Sequence, residues 1–177
     1  LIAKKMGLPV SKFIASVNAN DVFPHYLQSG EFHPISGKRT ISNAMDVGNP
    51  SNLVRINALF SDDVKLIQKD IKSYSFNDEK TAESILRTME NYEYLPDPHT
   101  AVGISGLKRF TNSGKSNQTG IVLATAHPGK FSDIIEPIID EKIKQPNRLK
   151  SCMEKEKQSI IISNSYSEFK QFLMSTN

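Results

Sequence analysis

Three short runs constrain this chain most: Phe13–Val17 and Thr119–Ala124, which are apolar, and Ile71–Phe76, which alternates. Each has strand length and too few residues for a buried helix. Between them lie long stretches of helical periodicity, so no two of the runs can be joined by a tight hairpin. Parallel strands need crossovers of a dozen or more residues, and such crossovers are usually helical. The expected fold is therefore α/β, a mainly parallel sheet flanked by helices.

Local signals place the helices. Leu1 to Met6 reads as the tail of a helix that began earlier, with Lys4 and Lys5 in its last turn and Gly7 as a C-cap. An upstream continuation of the chain is expected on that reading. Asn20 or Asp21 caps a short helix that ends near Ser29-Gly30. Residues 31–50 are rich in Gly, Pro, Ser and Asn and read as a loop, long enough to suggest function. Ser51 opens a helix over 52–60 with Leu53, Ile56 and Phe60 on one stripe, and 64–69 forms a second. Asn77 or Asp78 caps a helix to about Asn91, in which Ala82, Ile85, Leu86 and Met89 share a face. Asp97-Pro98 starts another, with an acceptor at the cap and proline at the first helical position, running to Asn112.

Further on, Gly114 to Asn117 is expected as a turn and Asp133 to Ile139 as a helix despite Pro137. Gln158 to Ile162 is expected as an edge strand. Ser165 caps a closing helix over 165–175 with Phe169, Phe172 and Leu173 as its buried stripe. Residues 141–158 are poorly defined by any pattern. Residues 1–177 are expected to form a single α/β domain.

Composition narrows the function classes. The 177 residues are 38% hydrophobic and 23% charged with a formal net charge of +3, an ordinary globular balance. The densest basic stretch, Lys142 to Lys157, is interrupted by Glu154 and Glu156, which argues for a solvated surface and against a nucleic-acid partner. No apolar run is long enough to span a bilayer. One cysteine, Cys152, allows no intramolecular disulfide, and a cytoplasmic location is expected.

Ligands of open α/β sheets bind beyond the carboxyl ends of the strands. Asn18-Ala19-Asn20-Asp21 follows the first run, and Thr125-Ala126-His127-Pro128-Gly129-Lys130 follows the third. Asp97-Pro98-His99-Thr100-Ala101 opens the helix leading into the third run. The long loop adds Ser42-Asn43-Ala44-Met45-Asp46 and Pro50-Ser51-Asn52. Taken singly, Asn18, Asn20 and Asp97 serve equally as strand terminators and helix caps. His99 and His127 lack metal-ligand spacing. Thr125, at the end of a strand-like run, is the residue whose position alone suggests ligand contact.

Together these stretches resemble the threonine synthase family. The match runs through Lys4-Lys5-Met6-Gly7-Leu8-Pro9-Val10, Phe13-Ile14-Ala15 and Asn18-Ala19-Asn20-Asp21. It continues through Ser42 to Val47, Pro50-Ser51-Asn52 with Arg55, Asp97 to Gly103, and Ala124 to Pro128 with Lys130-Phe131. Five stretches occur in family order. The sequence departs at Leu53-Val54, where the family often has an aromatic and an acid, and at Gly129, where alanine is common.

The resemblance implies the C-terminal half of the large domain of a fold type II pyridoxal-phosphate enzyme. Such an enzyme converts O-phospho-L-homoserine and water to L-threonine and phosphate. It further implies that Thr125 sets its hydroxyl against the cofactor's pyridine nitrogen, with Asp97 near the ring. Ser42, Asp46, Ser51, Asn52 and Arg55 would face the substrate, with Arg55 and helix amides helping to hold its phosphate. The family's Schiff-base lysine has no counterpart here, because Lys12, Lys108 and Lys130 all lack its Phe-Lys-Asp context. The glycine-asparagine phosphate cradle would lie before Leu1. No catalytic residue is therefore expected in this chain, which alone is expected to be inactive, to bind no cofactor and to self-associate through uncovered apolar faces. The competing reading is a non-catalytic α/β module that binds a ligand or a partner protein.

Overall fold

Side chains alternate across β1 (Phe13–Val17), and that alternation gives the first unit of the chain two apolar layers. Phe13 and Ala15 pack on a cluster of Tyr26, Leu27, Leu53, Phe60, Ile67 and Ile71. Ile14 and Ser16 face the other way, towards Gly106. In this computed structural model, which describes residues 1–113 and 118–175, β1 pairs in parallel with β2 (Ile71–Ser75). Phe13 stands opposite Ile71 and Val17 opposite Ser75.

The crossover between the strands builds the first layer. It contains α2 (Val22–Ser29), α3 (Leu53–Leu59) and α4 (Val64–Asp70). Gly30 closes α2 in the left-handed conformation at φ 81°, where a side chain would be strained. Asp63 caps α4 by accepting from the amides of Lys65 and Leu66. Ile67 of α4 is fully buried, worth about 1.5–3 kcal/mol of hydrophobic stabilisation. The short α1 (Ile2–Lys5) is tied to the end of α4 by a 2.8 Å ion pair between Lys4 and Asp70.

The second layer is α5 (Asp78–Tyr92), α6 (Pro98–Asn112) and α7 (Ser132–Ile139). Asn77 caps α5 through the Lys80 amide at 2.9 Å. Ile85, Ala101, Ile135 and Ile139 form the shared core, with Leu86 and Met89 beside them. The stripe expected on α5 is thus the face that packs. Pro137 sits inside α7, as expected.

Among the described residues the sheet has two strands, not three. Thr119–Ala124 joins no ladder with another described strand. Val122 lies against Gly103 of α6, whereas Ile121 and Leu123 are each 81% exposed. The apolar run signals a surface to be covered; it does not supply a hydrogen-bonding neighbour. The turn expected at Gly114–Asn117 lies outside the described residues.

Residues 145–177 form a separate unit. It holds α8 (Asn147–Met153), inside the stretch that had no sequence pattern, and α9 (Tyr166–Ser175), the expected closing helix. Gln158–Ile162 forms no strand. The expected buried stripe of α9 is not buried: Phe169 is 44% and Leu173 53% exposed. Periodicity marks a face that is able to pack, and packing also requires an apolar neighbour. No described helix is long and apolar enough to cross a membrane.

Candidate active site

The start of α6 gathers the site. Asp97 has the extended conformation of an N-cap, and its carboxylate accepts from the amides of His99 at 3.0 Å and Thr100 at 3.4 Å. It also accepts from the Thr100 hydroxyl and from His99 Nδ1 at 2.8 Å. Its side chain is wholly buried. Burial alone pushes this carboxyl up, but the bonds from Thr100 and His99, side chain and backbone, outweigh it. The group is held below the usual carboxylate range.

Thr125 stands on this base. Its amide donates to the Thr100 hydroxyl oxygen at 3.1 Å, and its own hydroxyl reaches both Asp97 oxygens at 3.4 Å. The residue itself is exposed. A buried carboxylate thus backs the hydroxyl of an exposed residue. The capping role and the contact with Thr125 belong to the same Asp97 side chain.

A second polar cluster forms where β1 ends. Asn18 is buried and donates through Nδ2 to Thr40 Oγ1 at 2.8 Å, Asp46 Oδ1 at 2.9 Å and Ser42 Oγ at 3.2 Å. Asn20 binds the Asn18 side chain, the Lys38 carbonyl and Asp46. Asp46 further accepts from the amide and hydroxyl of Thr40. The 38–46 part of the long loop is therefore pinned to the end of a strand. Neither asparagine is spent on capping α2, whose N-cap position, Asp21, makes no side-chain cap bond.

One contact joins the two clusters: the Ala44 amide donates to His99 Nε2 at 3.1 Å. Ser42 and Asp46 flank that amide, and both are engaged in the Asn18 network. Ser51, Asn52 and Arg55 stand apart, exposed at and just inside the start of α3. Asn52 lines an open, largely apolar cavity of about 240 Å³ between Ala15, Phe23, Met45 and Ile56. Neither Thr125 nor Asp97 reaches it.

Sequence reasoning did not select His99, Thr100 or Thr40 as site residues. Asp-Pro-His-Thr announces a helix start, and nothing in it shows that both ring nitrogens of His99 are used. Among the described residues no three His, Cys, Asp or Glu side chains gather in a metal-binding arrangement.

Comparison with known proteins agrees with this architecture. Residues 100–173 match the family model described as threonine synthase, C-terminal. The chain is 37% identical over 174 residues to the threonine synthase of Haemophilus influenzae, covering 98% of this chain and 40% of that protein. It is 38% identical over 149 residues to that of Escherichia coli, covering 84% of this chain and 34% of that protein. The E. coli crystal structure superposes with a TM-score of 0.84 at 31% identity, over 99% of this chain and 40% of that one. A pyridoxal-phosphate-bound threonine synthase from Brucella melitensis shares the fold at a TM-score of 0.82 and 24% identity, over 98% of this chain and 42% of that one. The chain thus spans about 40% of the length of the relatives that it matches, and along that span it belongs to the threonine synthase family.

Proposed function

We propose that this chain supplies one wall of a pyridoxal-phosphate site in a protein that converts O-phospho-L-homoserine and water to L-threonine and phosphate. The observation that carries the reading is exposed Thr125, whose hydroxyl is backed by buried Asp97. Its two contacts with Asp97 are long, and that carboxylate already accepts shorter bonds from Thr100 and His99. The hydroxyl is therefore free to turn its proton outward to a ring nitrogen. A neutral donor there suits a cofactor whose nitrogen is not held protonated.

When bound, pyridoxal phosphate supplies an electron sink for carbanions at the substrate carbons. The residues of this chain position and orient. Thr100 fixes Thr125 through its amide, and Asp97 holds the Thr100 hydroxyl in place. Asp97 thus acts on the ring through Thr100 and Thr125. Ser42 and Asp46 shape the loop on the substrate side, while Ser51, Asn52 and Arg55 offer exposed polar groups to a phosphate. The Schiff-base lysine and the phosphate cradle of the family are assigned to sequence outside these residues. O-phosphohomoserine is the small-molecule partner in this reading. Exposed, unpaired Cys152 fits a reducing cytoplasm.

Cofactor binding to the complete gene product tests the reading. Thr125→Ser keeps the hydroxyl and should hold pyridoxal phosphate with the unaltered absorbance spectrum. Thr125→Val should weaken binding about tenfold, the scale of one lost hydrogen bond, and shift the spectrum. Equal affinity and spectra for both variants would remove Thr125 from the ring.

A further inference from the structure

We propose that His99 is a positioning residue that clamps the 42–46 loop to the base of Thr125. Its ring is buried at the start of α6 and tilted against Phe131, with ring centroids 4.8 Å apart. Nδ1 meets the Asp97 carboxylate at 2.8 Å, and Nε2 meets the Ala44 amide at 3.1 Å. A carboxylate accepts and an amide N–H donates, so the two partners allow one arrangement of the ring proton. Nδ1 carries it and donates to Asp97; Nε2 is bare and accepts from Ala44.

The consequence is a continuous path from Thr125 through Asp97 and His99 to the backbone between Ser42 and Asp46. The loop has a second anchor at Asn18 and Asn20, but those side chains grip it through Thr40, Ser42, Asp46 and the Lys38 carbonyl. Among the contacts described here, the Ala44 amide is held from α6 alone. Loss of the Nε2 acceptor should free the 3-10 turn Asn43–Met45 while leaving the Asn18 network in place. The assignment of a substrate-side role to this loop rests on the function proposed above.

Two variants separate the two ends of the clamp. In His99→Asn the side-chain amide reaches where Nδ1 stands, keeping the donor to Asp97 and losing the acceptor for Ala44. In His99→Gln the carbonyl reaches where Nε2 stands, keeping the acceptor and losing the donor. Both remove the ring from Phe131, so the packing loss is matched. Hydrogen exchange of the 42–46 segment, measured in the complete gene product without cofactor, should quicken about tenfold in His99→Asn and stay near the wild-type rate in His99→Gln. KM for O-phosphohomoserine should rise in His99→Asn with kcat changed less.

Equal exchange in the two variants would overturn the clamp. So would a wild-type imidazole whose nitrogen NMR signals show the proton on Nε2, a measurement that needs no variant. The expected exchange with an unmoved KM would overturn the substrate-side part of the proposal. The expected exchange in a protein that releases no phosphate would overturn the proposed function and leave the clamp standing.

Discussion

Gly106 of α6 lies so close to Ser16 of β1 that a methyl group added to it would stand 1.8 Å from the serine Oγ and 3.0 Å from its Cβ. Ile14 Cγ2 would be 3.2 Å away. This approach seats α6 on the strand, and so places Asp97 and His99 beside the strand's end.

Gly106→Ala should therefore destabilise the protein by about 1–3 kcal/mol, because overpacking outweighs the ~1 kcal/mol that alanine gains in a helix. Ser16 Oγ is buried and has no hydrogen-bond partner. Ser16→Ala alone should be neutral or stabilising, and combined with Gly106→Ala it should recover part of the loss. Urea midpoints for the four proteins of the cycle check this.

Asn18→Ala removes the donor shared by Thr40, Ser42 and Asp46. It should cost about 2 kcal/mol or more, since it leaves a partly buried carboxylate short of a partner. Asn18→Asp should be worse, placing a second carboxylate at the 2.9 Å contact with Asp46. Limited trypsin digestion should show faster cleavage after Lys38 and Arg39 in both variants.

The organisation of this loop was not legible in the sequence, although its existence was. Gly, Pro, Ser and Asn in 31–50 announce a loop, but the Asn18–Asp46 and His99–Ala44 bonds span 28 and 55 residues, and no local pattern encodes them. By contrast α5 and α6 were legible nearly to the residue, because Asn77 and Asp97-Pro98 are local signals of a helix start. β1 and β2 were legible as apolar or alternating runs. The same reasoning over-read Thr119–Ala124 and Gln158–Ile162, because an apolar run resembles a strand whether or not another strand lies beside it. Thr125 was singled out from its place after such a run. Its support by Thr100 was not.

Asp97 should contribute an acid limb to stability. Its folded pKa is depressed, so its contribution is fully present above the unfolded carboxyl value of about 3.9 and is lost as pH falls through the lower folded value. Asp97→Asn removes that titration. The stability gap between wild type and Asp97→Asn should be constant near neutral pH and narrow below about pH 4. Denaturation midpoints across pH 3–7 check the window; a gap that widens in acid would reverse the sign.

Ile121 and Leu123 should make the 177-residue chain associate. Both are exposed in a segment with no ladder partner among the described residues, an arrangement that favours contact between chains. Sedimentation should show concentration-dependent association that is reduced in the double variant Ile121→Lys, Leu123→Lys. An unmodified chain that stays monomeric across the range would contradict this.

If this chain forms part of a threonine-producing site, product should form only when the rest of that site is present. The most direct measurement is release of phosphate and threonine from O-phosphohomoserine by the complete gene product loaded with pyridoxal phosphate, beside the 177-residue chain alone. Both products are expected from the complete protein and neither from the 177 residues. A folded, cofactor-loaded complete protein that forms neither product would contradict it.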